Sequence, residues 1–203
     1  MGLDKVKTMK LQLYWPLKRP FIAQGFGQNI VPRYKDLGIE GHNGLDLPCP
    51  VGEPIYAAHD GIITYAGQDG KEGWGVVMRT LEPYQYKNGN AYLKTIYWHL
   101  MPPIPVKVGQ QVMIGDCIGF GDTTGLATGS HLHFGLKPIA EGENEWTWTN
   151  LEQNNGYFGA IDPEPYMQIL TAYQLRTHLQ RIAETLKAIS ETIARLIAFR
   201  KPI

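Results

Sequence analysis

Gly129-Ser130-His131-Leu132-His133-Phe134 is the stretch that decides what kind of fold this chain can have. Its polar and apolar residues alternate, which is typical of a β-strand with one face on a core. His131 and His133 therefore point to the same side, roughly 6 to 7 Å apart. Both imidazoles could bind one metal ion, or one could bind the ion while the other contacts a water molecule on it. On this segment alone, two histidines that merely lie on a strand are the alternative.

The composition favours a β-rich protein with many turns. The 203 residues include 23 glycines and 11 tyrosines, and the formal net charge is +0. Because no basic stripe is visible, we expect no nucleic-acid partner, and because no apolar run reaches about 18 residues, we expect no transmembrane helix. Residues 1–13 are charged and lack an apolar segment, so no signal peptide is predicted there. Cys49 and Cys117 are too few for a disulfide framework and are expected to be small buried residues.

A second group of metal-ligating residues lies upstream, in Gly41-His42-Asn43-Gly44-Leu45-Asp46. On a straight strand His42 and Asp46 would share a face but lie about 13 Å apart, which is too far for one ion. Asn43-Gly44 is a turn dipeptide, and a bend there could bring the imidazole and the carboxylate together. Ordinary loop polarity is the alternative for each residue taken separately.

Short strands are predicted between these two groups. Residues 55–58 and 61–66 are expected to be strands joined by a turn, with His59 on the surface. Residues 68–75, which include Trp74, are interpreted as an exposed loop. Glycines at 109, 115 and 119 separate still shorter strands, which favours a small, tightly wrapped barrel or sandwich.

A β-hairpin is predicted from residues 76–81 and 92–100, because Asn88-Gly89 between two strand-like runs is a strong turn signal. Alternation on the second strand divides its last four residues between two faces, Tyr97 with His99 and Trp98 with Leu100.

The character of the chain changes at Asp162-Pro163-Glu164, which is typical of a helix N-terminus. Apolar residues then recur at heptad spacing, namely Leu175, Leu179, Ile182, Leu186, Ile189, Ile193 and Leu196. We divide the chain into a β-rich domain, residues 1–161, and a C-terminal helix, residues 162–203. The first part of that helix is expected to pack on the β domain, and the second part to project as a possible coiled coil. A helix folded back on its own domain and a membrane-surface helix are the alternatives.

Three separated segments thus offer His42 with Asp46, His99, and His131 with His133. A hydrolytic zinc site needs three protein ligands and an open position for water. It also needs a base for that water and a group that stabilises the oxyanion. The five side chains suffice for three ligands and two helpers, although spacing alone does not choose between His131 and His133 as the ligand.

The sequence resembles the lysostaphin-type zinc metallopeptidases, which are peptidoglycan endopeptidases. The resemblance covers roughly residues 21–140 and rests on three motifs that occur in the family's order. The motifs are His42-Asn43-Gly44-Leu45-Asp46, Tyr97-Trp98-His99-Leu100 and Thr124-Gly125-Leu126-Ala127-Thr128-Gly129-Ser130-His131-Leu132-His133-Phe134.

The resemblance implies a role for each of the five side chains. His42, Asp46 and His133 would bind one Zn²⁺ per chain. His131 would be the general base for the attacking water, and His99 would orient and stabilise the tetrahedral intermediate. Apart from these five, aromatic side chains are expected to contact the substrate in its groove, namely Tyr97, Trp98, Trp74, Trp146 and Trp148.

The fold expected from this resemblance is mainly β, a small antiparallel barrel-sandwich hybrid (a duplicated hybrid motif), here with a long C-terminal α-helix. The function expected is zinc-dependent cleavage of stem peptides or cross-links of bacterial peptidoglycan, outside the cytoplasm. A phage lysin, a virion-associated lysin and a secreted enzyme would each fit. The alternative is a non-catalytic wall-binding or scaffolding module of the same fold. In either case the 175–196 heptad seam could join copies of the chain into a homo-oligomer.

Overall fold

The structure is a computed structural model that describes residues 10–30, 34–140 and 149–199. Within those ranges the chain forms twelve strands, a 3-10 turn at Glu164–Tyr166 and one long helix, α1 (Ala172–Phe199). The strands are β1 (Leu13–Trp15), β2 (Leu45–Pro48), β3 (Pro54–Tyr56), β4 (Gly61–Asp69), β5 (Gly73–Thr80), β6 (Tyr84–Tyr86), β7 (Gly89–Trp98), β8 (Gln111–Val112), β9 (Cys117–Phe120), β10 (His131–Ala140), β11 (Thr149–Asn150) and β12 (Met167–Thr171).

One eight-stranded antiparallel sheet, here called the main sheet, carries most of these strands. Its order is β11-β10-β7-β5-β4-β8, with β2 paired to β10 and β6 paired to β7. Two small sheets join β1 to β12 and β3 to β9. The predicted mainly β architecture with a C-terminal helix is confirmed, and the sheets of the described part stay open rather than closing into a barrel.

Alternation along the central strands gives the main sheet a buried face and an open face. On β10, Leu132 and Phe134 are fully buried, whereas His131 and His133 lie on the opposite side. Tyr97 of β7 packs against Phe134, with ring centroids 5.3 Å apart, and belongs to the same core. The strand predicted from residues 129–134 is therefore confirmed, and it places both histidines on the open face.

The hairpin and loop predictions for residues 61–100 are correct only in part. Asn88-Gly89 does close a tight hairpin, but its first strand is the short β6, while β5 pairs with β7 on the other edge. The predicted exposed loop at 68–75 is wrong in extent, because β4 and β5 pair almost to their ends and leave only 70–72 as a turn. The ends of β4 and β5 pair regularly with each other, so these residues form strands although their sequence is polar and rich in glycine.

Two predictions about single side chains are also wrong. His59 is buried rather than on the surface. Its Nε2 shares a hydrogen bond of 2.9 Å with the Oγ1 of Thr95, which is a buried residue of β7. Cys49 is buried as predicted, but Cys117 is exposed, and both thiols are free. The strands around His59 do form, but β3 pairs with β9 and β4 pairs with β5 and β8.

The C-terminal helix begins at Ala172, not at Asp162. Asp162 does accept a hydrogen bond from the Glu164 N–H (2.9 Å), but only one 3-10 turn follows. The next residues form β12, which pairs in parallel with β1, so tertiary pairing overrides the local helical signal. The actual cap is a reciprocal pair, in which Thr171 Oγ1 accepts from the Gln174 N–H and Gln174 Oε1 accepts from the Thr171 N–H.

The first turns of α1 are attached to the β domain. Arg176 forms an ion pair with Asp116, and the Lys18 ammonium lies 4.1 Å from the centroid of the Tyr173 ring. Farther along, the apolar seam is solvent-exposed at five positions, namely Leu179, Ile182, Leu186, Ile189 and Ile193. The Leu196 side chain lies outside the described part. No described helix combines the length and the apolar character that crossing a bilayer would require.

Candidate metal centre and active site

Three metal-ligating side chains converge at one end of the main sheet. β2 pairs with β10 so that Asp46 lies opposite His133. His42 precedes the bend at Asn43-Gly44, and its backbone is held by hydrogen bonds with Gln28 (3.0 Å) and Gly27 (2.8 Å). The bend that the turn dipeptide made possible is therefore formed, and it brings His42 Nε2 to 3.0 Å from Asp46 Oδ1.

The three ligand atoms form a nearly equilateral triangle. His133 Nδ1 lies 3.1 Å from Asp46 Oδ1 and 3.0 Å from His42 Nε2. Tetrahedral zinc with ligand bonds of about 2.0 to 2.1 Å separates its ligands by about 3.3 Å. Two imidazoles and one carboxylate are also a donor set that zinc prefers, so the residues present fit a zinc ion.

Protonation within the triangle supports the same conclusion. The Gly25 carbonyl lies 3.2 Å from His42 Nδ1 and can only accept, so Nδ1 carries the proton and Nε2 of the neutral ring turns its lone pair to the centre. Burial raises the pKa of Asp46, but when the ring nitrogens of His133 and His42 that face the carboxylate carry protons, their hydrogen bonds outweigh burial and hold the pKa well below its ordinary value. A cation at the centre of the triangle would take the place of those protons. An ionised carboxylate and imidazole lone pairs facing one point favour a cation there.

His131 and His99 flank this triangle, and each is oriented by a backbone carbonyl. His131 Nδ1 donates to Gly129 O (2.8 Å), and its Nε2 lies 3.6 Å from Asp46 Oδ1. His99 Nδ1 donates to Thr124 O (2.7 Å), and its ring centroid lies 4.6 Å from that of His131. In their neutral forms both rings therefore present an unprotonated Nε2.

The position of His99 corrects the strand alternation predicted for residues 97–100. β7 ends at Trp98, and His99 adopts a left-handed backbone with φ 66°. Such a conformation is uncommon for a residue other than glycine, and it marks functional sites when the surroundings hold it in place. The turn carries His99 away from the buried face of Tyr97 and toward His131. Burial lowers the pKa of His99 to about 4, so its ring is neutral at pH 7.

A family profile of Peptidase family M23 matches residues 40–145, which is more than half of the chain and contains all five of these side chains. The chain belongs to peptidase family M23. It is 39% identical over 95 residues to the peptidoglycan DD-endopeptidase ShyA of Vibrio cholerae, a match that spans 47% of this chain and 20% of that protein. It is 34% identical over 119 residues to the DD-carboxypeptidase/endopeptidase Mpg of Neisseria meningitidis, across 59% of this chain and 25% of that protein. The matched region is thus a quarter or less of the length of these curated relatives.

Solved structures of M23 peptidases show the same fold. The catalytic domain of lysostaphin from Staphylococcus simulans is 25% identical with a TM-score of 0.53, and the match covers 72% of this chain and 91% of that domain. A zinc-containing peptidase from Vibrio cholerae is 25% identical with a TM-score of 0.54, covering 79% of this chain and 41% of that one.

The groove contacts suggested for this M23 chain divide into three groups. Trp98 lines an open cavity of about 510 Å³ together with His133. Tyr97 does not reach the groove, because it is fully buried with its hydroxyl 3.0 Å from the Ala58 N–H. Trp74 also lies on the core side of β5 and packs against the core cluster but is only partly buried, so the groove contact is excluded for Tyr97 and stays a prediction for Trp74. Trp146 and Trp148 lie outside the described residues.

Several contributors to the M23 site could not be found from the sequence. The carbonyls of Gly25, Thr124 and Gly129 fix the histidine tautomers, but they are backbone atoms with no sequence signature. Tyr34 was missed as well. Its ring centroid lies 6.0 Å from that of His42, and its hydroxyl accepts a hydrogen bond from the Gln24 amide (2.7 Å).

Gly44 in the bend is required by close packing against the candidate ligand His133. A Cβ built at Gly44 would lie 2.7 Å from Phe134 O and 2.8 Å from His133 Nε2. We expect Gly44→Ala to displace His133 and to lower the affinity for Zn²⁺ by about 10- to 100-fold, as for losses of ligand support. Competition with a chromophoric chelator measures this affinity. Gly89→Ala is the matched control, because its Cβ meets nothing within 4 Å, and equal affinities of the two variants would contradict the expectation.

Proposed function

We propose that this chain is a zinc-dependent endopeptidase that cleaves stem peptides or cross-links of bacterial peptidoglycan. The observation that carries the proposal is the His42–Asp46–His133 triangle with the Nε2 atoms of His99 and His131 beside it. Similarity to the peptidoglycan DD-endopeptidase ShyA and to the DD-carboxypeptidase/endopeptidase Mpg supports peptidoglycan as the substrate. We further propose that the enzyme acts on the cell wall, outside the cytoplasm.

In this proposal each of the five side chains has a distinct task. His42, Asp46 and His133 would hold one Zn²⁺ per chain. When bound, the ion would polarise the scissile carbonyl and lower the pKa of the attacking water toward about 7. His131 Nε2 accepts the proton of that water as general base, since its Nδ1 is committed to Gly129, and can deliver a proton to the leaving amine.

His99 orients and stabilises, and its tautomer limits how. Because Nδ1 donates to Thr124 and the ring is neutral, Nε2 can accept a hydrogen bond from the attacking water in the resting enzyme. It becomes a donor to the developing oxyanion only after it has gained a proton. Charge that develops on the oxyanion favours this protonation, and solvent supplies the proton, because the proton that His131 takes from the water goes to the leaving amine.

Digestion of purified peptidoglycan tests the proposed activity directly. We expect the zinc-loaded protein to release new amino groups from the wall, to lose this activity with a chelator, and to regain it when Zn²⁺ is added back. Labelling of free amines followed by mass spectrometry of the products also identifies the bond that is cut. Intact cross-links and stem peptides at full zinc loading would overturn the proposal.

We also propose that the exposed seam of α1 joins copies of this chain into a homo-oligomer. Five apolar seam residues are 50% to 61% exposed. Exposure of so many apolar side chains to water along one helix face is unfavourable and is relieved when that face packs against another helix. We expect the double variant Leu186→Gln/Ile189→Gln to be monomeric and the parent chain to be oligomeric by sedimentation equilibrium. Glu184→Gln is the control on the same helix. A monomeric parent chain at tens of micromolar concentration would contradict the proposal.

A further inference from the structure

A row of cationic side chains crosses the open face of the main sheet beyond the metal centre. Strand register places Arg79 opposite Lys94, and Lys94 opposite Lys137. Lys137 is four residues along β10 from His133, or about 14 Å between their Cα atoms. All four side chains line the same open cavity of about 510 Å³. The row therefore lies in the groove that leads to the metal centre.

Lys94 and Lys137 repel each other and are half-buried. Like charges that face each other across neighbouring strands destabilise a sheet. Among the described residues the cations in ion pairs include Lys87 and Arg176, but neither Lys94 nor Lys137. Burial lowers the pKa of Lys94, and burial and the charge of Lys94 lower the pKa of Lys137 to about 8, against the opposing effect of Glu72, which lines the same cavity. Two partly desolvated ammonium groups that form no ion pair within the described part of the chain favour the binding of an anion.

The third cation of the row already has partners. Arg79 donates to the Thr80 carbonyl (3.1 Å), and its guanidinium lies 5.5 Å from the centroid of the Tyr92 ring. The lysine pair is therefore the part of the row that remains available to bind a ligand.

We propose that Lys94 and Lys137 form a subsite for a carboxylate of the substrate peptide, so that the enzyme prefers acidic peptides over glycine-only bridges. The proposal rests on the proposed peptidase function. Between the lysines and His133 the described floor of the groove carries no charged side chain. It is formed by Ile96, Val77 and Gly135, which lie in one cross-strand row. A peptide backbone can lie over such a floor. Lysine side chains extend by about 6 Å, so the carboxylate lies about two to four residue lengths from the bond that is cut.

Binding of a defined peptide tests this subsite independently of catalysis. The probe is a cross-linked peptide dimer, D-Ala joined to a diamino acid, prepared with free carboxylates, with carboxamides at its C-termini only, or with carboxamides throughout. Affinities are measured by calorimetry on the zinc-loaded His131→Ala variant of the 203-residue chain, which is expected to leave the dimer intact. We expect the free-carboxylate dimer to bind about tenfold more tightly than the fully amidated one. The singly amidated dimer distinguishes a terminal from an internal carboxylate.

Variants of the lysines identify the source of this preference. Methionine keeps the aliphatic stem and removes the charge, so Lys137→Met and Lys94→Met should each lower the affinity for the free-carboxylate dimer toward that for the amidated dimer. Lys107→Met, at an exposed position outside the groove, should change neither affinity. Thermal unfolding of each variant checks that it is folded.

Each outcome is decisive. Equal affinity for all three dimers, no binding of any of them, or a preference that persists in the Lys94→Met/Lys137→Met double variant would overturn the subsite. If the protein with His131 intact cleaves no dimer while the lysine-dependent preference is present, the proposed peptidase function fails and the subsite stands.

Discussion

We expect His133→Ala to abolish the proposed zinc binding and to lower kcat/KM for peptidoglycan fragments by about 10³-fold or more. Removing one corner of the His42–Asp46–His133 triangle leaves two ligands, which cannot hold the ion against water. A lost metal removes several kcal/mol of transition-state stabilisation, and each 1.36 kcal/mol corresponds to tenfold in rate. Elemental analysis of the purified variant and single-substrate kinetics measure the two effects.

The matched control for this variant is His178→Ala. His178 lies on the exposed surface of α1, far along the chain from the triangle, so its removal should leave both zinc content and activity unchanged. Circular dichroism and thermal unfolding show whether the His133→Ala protein retains its sheet. A folded His133→Ala protein with one zinc per chain and parental activity would eliminate the triangle as the metal centre.

We expect His131→Ala to lower kcat/KM by about 10² to 10⁴-fold, the usual contribution of a general base, and to leave the zinc content at one per chain. The reason is geometric. His131 lies on the same strand face as His133, but its Nε2 is 3.6 Å from Asp46 Oδ1, outside the tight triangle. Its Nδ1 bond to Gly129 leaves Nε2 as an acceptor for the proton of water.

The two histidine variants together separate a ligand from a base. Loss of zinc from the His131→Ala protein would show that His131 is a metal ligand rather than the general base. The proposed roles of His131 and His133 would then have to be exchanged. Full activity of a zinc-loaded His131→Ala protein would exclude it from proton transfer. The zinc content and kcat/KM of both variants, measured on the same preparations, decide between these cases.

Local chemistry in the sequence predicted much of the candidate site. The two-residue alternation of 129–134 places His131 and His133 on one face because strand geometry allows nothing else, and the turn at Asn43-Gly44 allows His42 to meet Asp46. These inferences need only neighbouring residues. The mainly β class follows from the same kind of pattern, repeated along the chain.

Nonlocal contacts decided the rest. Tyr97 is in the core and His99 is in the site because the backbone is left-handed at His99. The Thr124 carbonyl holds the His99 ring there by accepting a hydrogen bond from its Nδ1. Residues 167–171 are a strand because β1 offers them a partner.

What the sequence by itself determined is the set of side chains proposed for the chemistry and, for His131 and His133, the strand face from which they point. What only the tertiary structure decided is which nitrogen of each ring faces the centre, and that Lys94 and Lys137 share a row with each other. The physical reason is that tautomers and cross-strand rows depend on backbone carbonyls and on register, which join residues distant in the chain.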